Sequence, residues 1–390
     1  MNTARVSAVL FLCLFAGQAG AIALSPVLAE VARDLDVSTV TAGQLRTVAG
    51  LAAGITALAL GRFGARFALS RQLLVGSLLL ALGSLASAAA PSIGLLAAAQ
   101  VPVGAGIAIL TTAGTLAAAE WVPAERRAAT LSWALIGQPA AWIVGMPLLG
   151  AAGEQSWRYA WLILPFATAL LAGAAVAVRG GSSQVSAAPP PMYAALQVPG
   201  IGRWLAAEML VNTAWAGTLV YAGVLFAESY QVSSATTGGL LAVGAVAYVS
   251  GNLACRRLVG REPMRLLVRL SAVLALATAL FGAFRPSLLA SLALFSVAAC
   301  AAGGRTLISS TVGLSIAPEL RQAAMALRAA SMQFGYFTGS FAAGAALEAG
   351  GYAAFGGTIG ALFVSSSIVL RRSLARGDDV AAPHPRRLRV

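Results

Sequence analysis

Twelve apolar runs, each about as long as a membrane-spanning helix, limit what this chain of 390 residues can fold into. A helix needs about 20 mostly apolar residues to cross the hydrocarbon core of a bilayer. Read between Arg, Pro and acidic residues, the predicted spans cover residues 6–29, 42–60, 72–90, 94–118, 128–150, 158–178, 204–227, 236–254, 264–283, 288–316, 324–346 and 353–370. The first run is too long for a signal-peptide core of about 7–15 residues, so we interpret it as a retained span. The pattern predicts an all-α membrane protein with twelve transmembrane helices.

The composition supports this class and argues against a soluble protein. Hydrophobic residues form 59% of the chain and charged residues only 10%, whereas soluble domains contain about 25% charged residues. The net charge of +13 would suit nucleic acid, but so apolar a chain cannot form the wet basic surface that binding requires. We therefore expect the lipid bilayer as a partner and no nucleic acid. The single His384 and the three scattered Cys residues show no metal-ligand spacing, so we expect no metal and no cofactor.

The arginines are distributed unevenly between the two sides of the predicted spans. The N-terminus, the even-numbered connections and the tail hold 21 of the 26, and the opposite side holds three. The remaining two, Arg46 and Arg305, fall inside spans. Because positively charged loops stay in the cytoplasm, we expect a multi-pass protein of the bacterial plasma membrane with both termini inside.

Two segments at corresponding places in the two halves of the chain resemble each other. Residues 123–138 read PAERRAATLSWALIGQ and residues 318–333 read PELRQAAMALRAASMQ, and six of the 16 aligned positions are identical. An Arg also follows Gly61 and Gly251 by five residues at two equivalent helix ends. These repeats predict two pseudo-symmetric six-helix bundles.

The composition between the spans gives the expected domain boundaries. We expect an N-terminal six-helix bundle over residues 1–178 and a C-terminal one over residues 204–370. A cytoplasmic linker rich in Gly, Ser and Pro joins them over residues 179–203, and we expect it to be flexible at its start. The polar tail over residues 371–390 is predicted to be disordered.

Two six-helix halves with three local motifs resemble the transporters of the major facilitator superfamily. Residues 26–36 followed by Val37-Ser-Thr are similar to its first-helix exit, and residues 61–71 resemble its signature loop GxLaDRxGRR. Residues 145–150 followed by Trp157-Arg158 resemble its fifth-helix pattern. Within the superfamily, the resemblance is to the bacterial twelve-span efflux branch of drug:proton antiporters and sugar-efflux proteins, and it covers nearly the whole chain.

The resemblance implies a monomeric carrier that opens a central site alternately to each side of the membrane. A small-molecule substrate and protons as the coupling ion are implied as well. The residues that correspond to the gating loops are Gly61, Arg66, Arg126 and Arg256. This sequence departs from the pattern at Ala65, where the signature has Asp, and at Gln100, where many proton-coupled members have Arg.

Two ionisable residues inside spans are candidates for function by default, because charges are costly there. Arg305 shares a helix face with Ser309, and it either holds an anionic or carbonyl-bearing solute or forms a structural ion pair. Glu208 shares a face with Asn212 and Trp215. Burial favours the protonated form of a carboxyl, which makes Glu208 a candidate proton carrier. An exposed or Arg-paired Glu208 is the alternative, since it lies about one turn from the predicted helix end.

Other polar residues inside the spans are candidates for the gate and the cavity lining. Arg46 either pairs with Glu30 or Asp34 at the outer mouth or extends towards the lipid headgroups. The remaining lining candidates are Gln18, Gln138, Gln333, Asn212, Tyr336, Trp142, Trp133 and Tyr248.

Three functions compete at this point. The first is proton-driven efflux of small, fairly apolar molecules such as antibiotics, and the second is a carrier for one metabolite, a sugar or a carboxylate, by export or uptake. The third is a membrane enzyme or a transport-dead sensor. We do not expect an enzyme, because the spans contain no His cluster and no carboxylate pair.

Overall fold

The computed structural model describes residues 3–179, 192–258, 262–316 and 318–375. These ranges are built from helices and contain no strand. The central part of the predicted linker, residues 180–191, and most of the predicted tail, residues 376–390, lie outside the described residues.

The first half of the chain contains eight helical segments. They are α1 (Thr3–Ile22), α2 (Leu28–Asp34), α3 (Thr39–Phe63), α4 (Leu69–Ala89), α5 (Ile93–Glu120), α6 (Ala124–Gln155), α7 (Trp157–Trp161) and α8 (Ala167–Arg179). A π-turn at Leu162–Phe166 joins α7 to α8, so the two form one crossing. The second half contains α9 (Met192–Leu196), α10 (Ile201–Tyr230), α11 (Ser234–Cys255), α12 (Pro263–Ala283), α13 (Leu288–Leu314) and α14 (Pro318–Ala375).

Helix α14 accounts for two crossings of the membrane. Eleven helical runs in the described ranges are long and apolar enough to span a bilayer, and the last covers 53 residues, Ala323–Ala375. At 1.5 Å per residue that run would be about 80 Å long, far more than the hydrocarbon thickness of about 30 Å. Gly350 and Gly351 interrupt it with non-helical backbone, and Gly351 has a φ of 62° that only glycine adopts readily. The prediction of twelve transmembrane helices is therefore confirmed.

Four serine caps show the internal repeat in the structure itself. The side chains of Ser38 and Ser233 accept hydrogen bonds from backbone N–H groups at the starts of α3 and α11. Ser92 and Ser287 do the same for α5 and α13. Such caps satisfy N–H groups that have no partner inside the helix. Both pairs are separated by 195 residues, the same offset as the sequence repeat, so equivalent helices begin at equivalent serines.

Some helix ends differ from the sequence-based expectation. The first span ends at Ile22 rather than residue 29, because the chain turns around Pro26 and starts the separate helix α2. The last helix continues to Ala375, five residues into the stretch predicted as disordered tail. The end of the predicted linker forms the short helix α9.

The two halves meet through α6 against α11 and through α3 against α14. Close backbone contacts lie near the end of the molecule opposite the termini. Gly150 and Gly238 lie against the carbonyl groups of Ser234 and Met146, and Gly223 lies against that of Ser25. Glycine at these positions lets the helices approach closely. We call these three contacts the distal seam, and it is closed in this conformation.

Candidate functional site

A buried carboxylate held by two arginines lies at the centre of the C-terminal half. Glu208 on α10 accepts from Arg305 Nη1 on α13 at 2.5 Å through Oε1, and from Arg328 Nε on α14 at 2.9 Å through Oε2. The exposed side-chain fractions are 1% for Glu208, 3% for Arg305 and 9% for Arg328. Ion pairs this deeply buried are strongly coupled, because removing one partner leaves an uncompensated charge away from water. The three side chains form what we call the arginine–glutamate cluster.

Polar side chains of three helices complete the surroundings of the cluster. Ser271 on α12 accepts from Arg305 Nε at 2.9 Å. Ser309 accepts from the Trp204 indole N–H at 3.0 Å. The expected common face of Arg305 and Ser309 is thus turned towards α10, which carries both Glu208 and Trp204. One donor remains, because Arg305 Nη2 is buried and has no hydrogen-bond partner within the described part of the chain.

A third arginine, on the N-terminal half, contacts the helix that carries Arg328. The guanidinium of Arg46 on α3 lies over the ring of Tyr336 on α14, 5.7 Å from its centroid, in a cation–π contact. Tyr336 lies about two turns along α14 from Arg328. This contact joins the two halves of the chain, so rocking of one half against the other would change it.

Arg328 is the functional candidate that sequence reasoning missed. It falls in the repeat segment after predicted span 10, and we assigned it to the arginines on the side of the termini. In the structure it lies inside α14 with 7% of its surface exposed and pairs with Glu208. Its place in the predicted span over residues 324–346, next to a buried acid in another span, was the signal that could have identified it.

The structure brings some of the other predicted lining residues to the cluster and leaves others apart. Asn212 is buried one turn from Glu208 and donates to its backbone carbonyl at 2.8 Å. Trp215 stacks on Tyr248 with ring centroids 6.4 Å apart. Trp142 packs partly against the hydrophobic core, and 63% of Trp133 is exposed. The predicted lining residues Gln18, Gln138 and Gln333 are half-buried. In the described part of the chain, no hydrogen bond joins any of them to the cluster.

The expected pairing of Arg46 with Glu30 or Asp34 is not formed. Asp34 instead accepts from Arg158 Nη1 at 2.6 Å and from the Trp157 indole at 2.9 Å. The hydrogen bonds from these two residues hold the pKa of Asp34 below its ordinary value. This contact ties the end of α2 to α7 within the N-terminal half, while Arg46 lies deeper, beside Tyr336. The sequence could not predict these partners, because the turn between α1 and α2 sets the positions of Glu30 and Asp34.

Glu30 lies at the distal seam, beside a cavity of about 450 Å³ between the two halves. Ser234 at the start of α11 lines the same cavity, and the Oε2 atom of Glu30 is buried without a hydrogen-bond partner in the described part of the chain. Burial raises the pKa of Glu30, and the carboxylate of Glu154 adds to this effect, whereas Arg33 opposes it. Glu228 on α10 faces the same cavity.

The raised pKa of Glu30 predicts that acid favours closure of the distal seam. In an open seam water would surround this carboxyl and restore its ordinary pKa, so protonation stabilises the closed form. That contribution is complete below the ordinary pKa and is lost as the pH rises through the raised value. We expect thiol labelling of a Ser25→Cys variant from the distal side to increase with pH, and Glu30→Gln to remove the dependence. Asp36→Asn, which changes an exposed acid just after the end of α2, serves as the control. A pH dependence that survives in Glu30→Gln contradicts the assignment.

The loop residues implied by the resemblance lie near the helix ends on the side of the termini. Arg66 sits over the Phe63 ring at 5.4 Å, and the Gln72 side chain donates to the carbonyl of Gly64 at 2.8 Å, which secures the turn between α3 and α4. Gly61, Arg126 and Arg256 are exposed. Gln100 is buried between α5 and α4, where it donates to Ser87 at 3.0 Å. It therefore packs one half together and does not face the cluster.

Twelve crossings in two related halves, with a buried ion cluster inside the C-terminal half, are the features of a multi-pass membrane transporter. Residues 10–312 match the profile of the Major Facilitator Superfamily, and the chain belongs to this family. It is 26% identical over 280 residues to the uncharacterized MFS-type transporter YtbD of Bacillus subtilis (strain 168), covering 67% of this chain and 68% of that protein.

The fold is similar to those of solved transporter structures, including these two. A bacterial homologue of the human lysosomal transporter Spinster, inward-facing and unoccupied, matches with a TM-score of 0.74 and 13% identity over 97% of both chains. A D-xylose–proton symporter matches with a TM-score of 0.76 and 16% identity over 94% of this chain and 96% of the other.

Proposed function

We propose that the protein is a proton-coupled secondary transporter that carries a small solute by alternating access, with the arginine–glutamate cluster as its coupling site. The observation that carries this proposal is the Glu208 carboxylate, buried in a spanning helix and shared by two arginines on two other helices. A buried acid with exchangeable ion-pair partners can accept a proton when a partner leaves. The D-xylose–proton symporter of similar fold is proton-coupled by its description, which supports this coupling ion.

Alternating access is supported by the way the halves touch. Closure at the distal seam includes glycine-to-carbonyl contacts, and the Tyr221 hydroxyl of α10 donates to the Val40 carbonyl of α3 at 3.4 Å. Such contacts between the halves can separate while each half keeps its own packed helices. We infer that the seam opens when the opposite side closes.

The arginine distribution supports a placement of both termini in the cytoplasm of a bacterial cell. Arg62, Arg66 and Arg126 follow helix ends on the side of the termini, and the opposite side has few arginines. Positive loops are retained on the cytoplasmic side during insertion. The distal seam would then close the periplasmic side, and the monomer holds the whole site.

The two solutes considered from the sequence differ in how well the site fits them. Export of fairly apolar, drug-like molecules is supported by the resemblance to the efflux branch and by the aromatic rings of Trp215, Tyr248 and Tyr336. The alternative is a carrier for one metabolite, a sugar or a carboxylate, and its carboxylate form is supported by the Arg305 and Arg328 guanidinium groups that hold Glu208. The second candidate accounts for the most costly residues in the spans and is the one that we prefer.

Proton coupling can be tested in proteoliposomes with radiolabelled solutes. The solutes are D-glucuronate, succinate and benzenesulfonate, together with their neutral amides. An imposed pH gradient should drive accumulation of at least one of the six, and an uncoupler should abolish it. Gradient-independent equilibration of every transported solute, or no protein-dependent flux for any of them, would contradict the proposal.

A larger side chain in the distal seam should hold it open. Gly238 on α11 lies against the Met146 carbonyl, whereas the neighbouring Gly239 faces open space. We expect Gly238→Leu to increase labelling of Ser25→Cys from the distal side about tenfold, since overpacking costs about 1–3 kcal/mol in the closed form. Gly239→Leu is the matched control and should leave labelling unchanged. Equal labelling in both variants would show that the seam does not govern access.

A further inference from the structure

The arginine–glutamate cluster carries a net positive charge. Arg305 and Arg328 share the single carboxylate of Glu208. Two guanidinium groups and one carboxylate give a net charge of +1 in the described part of the cluster. An excess of positive charge inside a membrane protein is costly unless an anion compensates it. The missing negative charge is therefore the property of the site to be explained.

Arg305 also presents a donor that has no acceptor in the described part of the chain. A guanidinium has five N–H donors in a planar fork. Nε donates to Ser271 and Nη1 to Glu208, whereas Nη2 is buried and unpartnered in the described ranges, on a side chain that is only 3% exposed. Leaving a charged donor unsatisfied in a buried site is costly. An acceptor that arrives with the solute would satisfy it.

The geometry already shows how the site holds an acidic group. Arg305 donates to one carboxylate oxygen of Glu208 and Arg328 donates to the other. A planar carboxylate or a sulfonate of a solute presents the same pair of oxygen acceptors, and arginine forks bind such groups with good geometry. Glu208 therefore occupies the place that an external anion would take.

From these observations we propose that the solute is a small organic anion, which displaces Glu208 from Arg305 and Arg328 and is bound together with one proton. The proposal deepens the function proposed above and rests on it. Once displaced, the Glu208 carboxylate lies in a dry environment without its cations, so it takes a proton from solution. The added anion and the added proton cancel, and the site keeps its net charge of +1. Anion and proton therefore move together, in the same direction.

The binding step can be tested by isothermal titration calorimetry on the purified protein in two buffers with different ionisation enthalpies. The probes are D-glucuronate, succinate and benzenesulfonate, each paired with its neutral amide. We expect at least one anion to bind at least about tenfold more tightly than its amide, since hydrogen bonds between ionised groups are stronger than those of a neutral amide. The difference between the buffers should show uptake of about one proton per bound anion near neutral pH.

Variants separate binding from structure. Arg305→Ala should weaken anion binding by about tenfold or more, and Arg305→Lys, which keeps the charge, serves if Arg305→Ala does not fold. Glu208→Gln should bind the anion at least as tightly as the wild type, because its internal competitor is neutral, and should take up no proton. Arg265→Ala, which removes an exposed ion pair with Glu262 on α12, should change neither quantity.

Three outcomes would overturn the proposal: equal binding of anions and amides or no binding of any probe, unchanged affinity in Arg305→Ala, or release of a proton on binding. Failure of the proposed function looks different. If the anions bind with proton uptake but no pH gradient drives flux in proteoliposomes, the result supports the anion site and contradicts the proposed coupled transport. If a gradient drives a neutral amide while no anion binds, the result supports coupled transport and contradicts the anion site.

Discussion

Glu208→Ala should be the most damaging single substitution in the spans, lowering the free energy of unfolding by about 3–5 kcal/mol. The change removes the only negative partner that the structure shows for Arg305 and Arg328 in its described ranges, and it leaves both guanidinium groups buried. Two uncompensated cations away from water cost far more than the lost hydrogen bonds. We expect a clear fall in the thermal midpoint in detergent and a loss of coupled flux.

The exposed Arg265–Glu262 pair provides the comparison. Both side chains of that pair are about 60% exposed, and exposed ion pairs contribute only about 0–1 kcal/mol. Arg265→Ala should therefore melt within a few degrees of the wild type. If Glu208→Ala had the same thermal midpoint as Arg265→Ala, the buried cluster would be well hydrated or would rearrange at little cost.

Arg305→Ala should separate transport from stability. It leaves Glu208 paired with Arg328 at 2.9 Å, so the remaining buried charges still balance. We expect a smaller loss of stability, about 1–3 kcal/mol, from the hydrogen bonds to Glu208 and Ser271. Transport should fall by about 10- to 100-fold, since Arg305 carries the unsatisfied donor at which we place the solute.

The measurement combines melting curves with gradient-driven flux of the probe anions in proteoliposomes. Arg328→Ala provides an internal comparison, because it also leaves one neutral ion pair but keeps the unpartnered Nη2 of Arg305. It should lose less flux than Arg305→Ala. If Arg305→Ala transports normally, the structural alternative for this residue, an ion pair that only joins helices, is correct.

The helices of this protein were predictable because their signal is local. A run of about 20 apolar residues is long enough to cross a bilayer, and no backbone other than a helix satisfies its own hydrogen bonds there without neighbours. The break at Gly350 and Gly351 was visible as the gap between the eleventh and twelfth runs. The helix ends near Ile22 and Ala375 were less predictable, since turns and polar helix extensions carry no hydropathy signal.

The partners of the charged residues were not predictable in the same way. Glu208 and Arg305 were identified as candidates because they lie inside spans, but their pairing joins residues 97 positions apart. Arg328 was assigned to a loop, since an arginine near a helix end usually extends to the headgroups. Packing of α14 against α10 turns it inwards instead. Arg46 does not pair with Asp34 as expected, because α2 places Asp34 next to Arg158.

By itself, the sequence determined the class of protein, the number of crossings and the asymmetry of the arginines. These properties depend on the free energy of placing each residue in lipid or water, which is nearly independent of the other residues. The tertiary structure decided which charges meet. Sorting residues by span left a net charge of +1 in the membrane, from Arg46, Arg305 and Glu208, and the packing of α14 adds Arg328 and makes it +2. Ion pairs depend on distances of a few ångströms between separate helices, and only packing sets those distances.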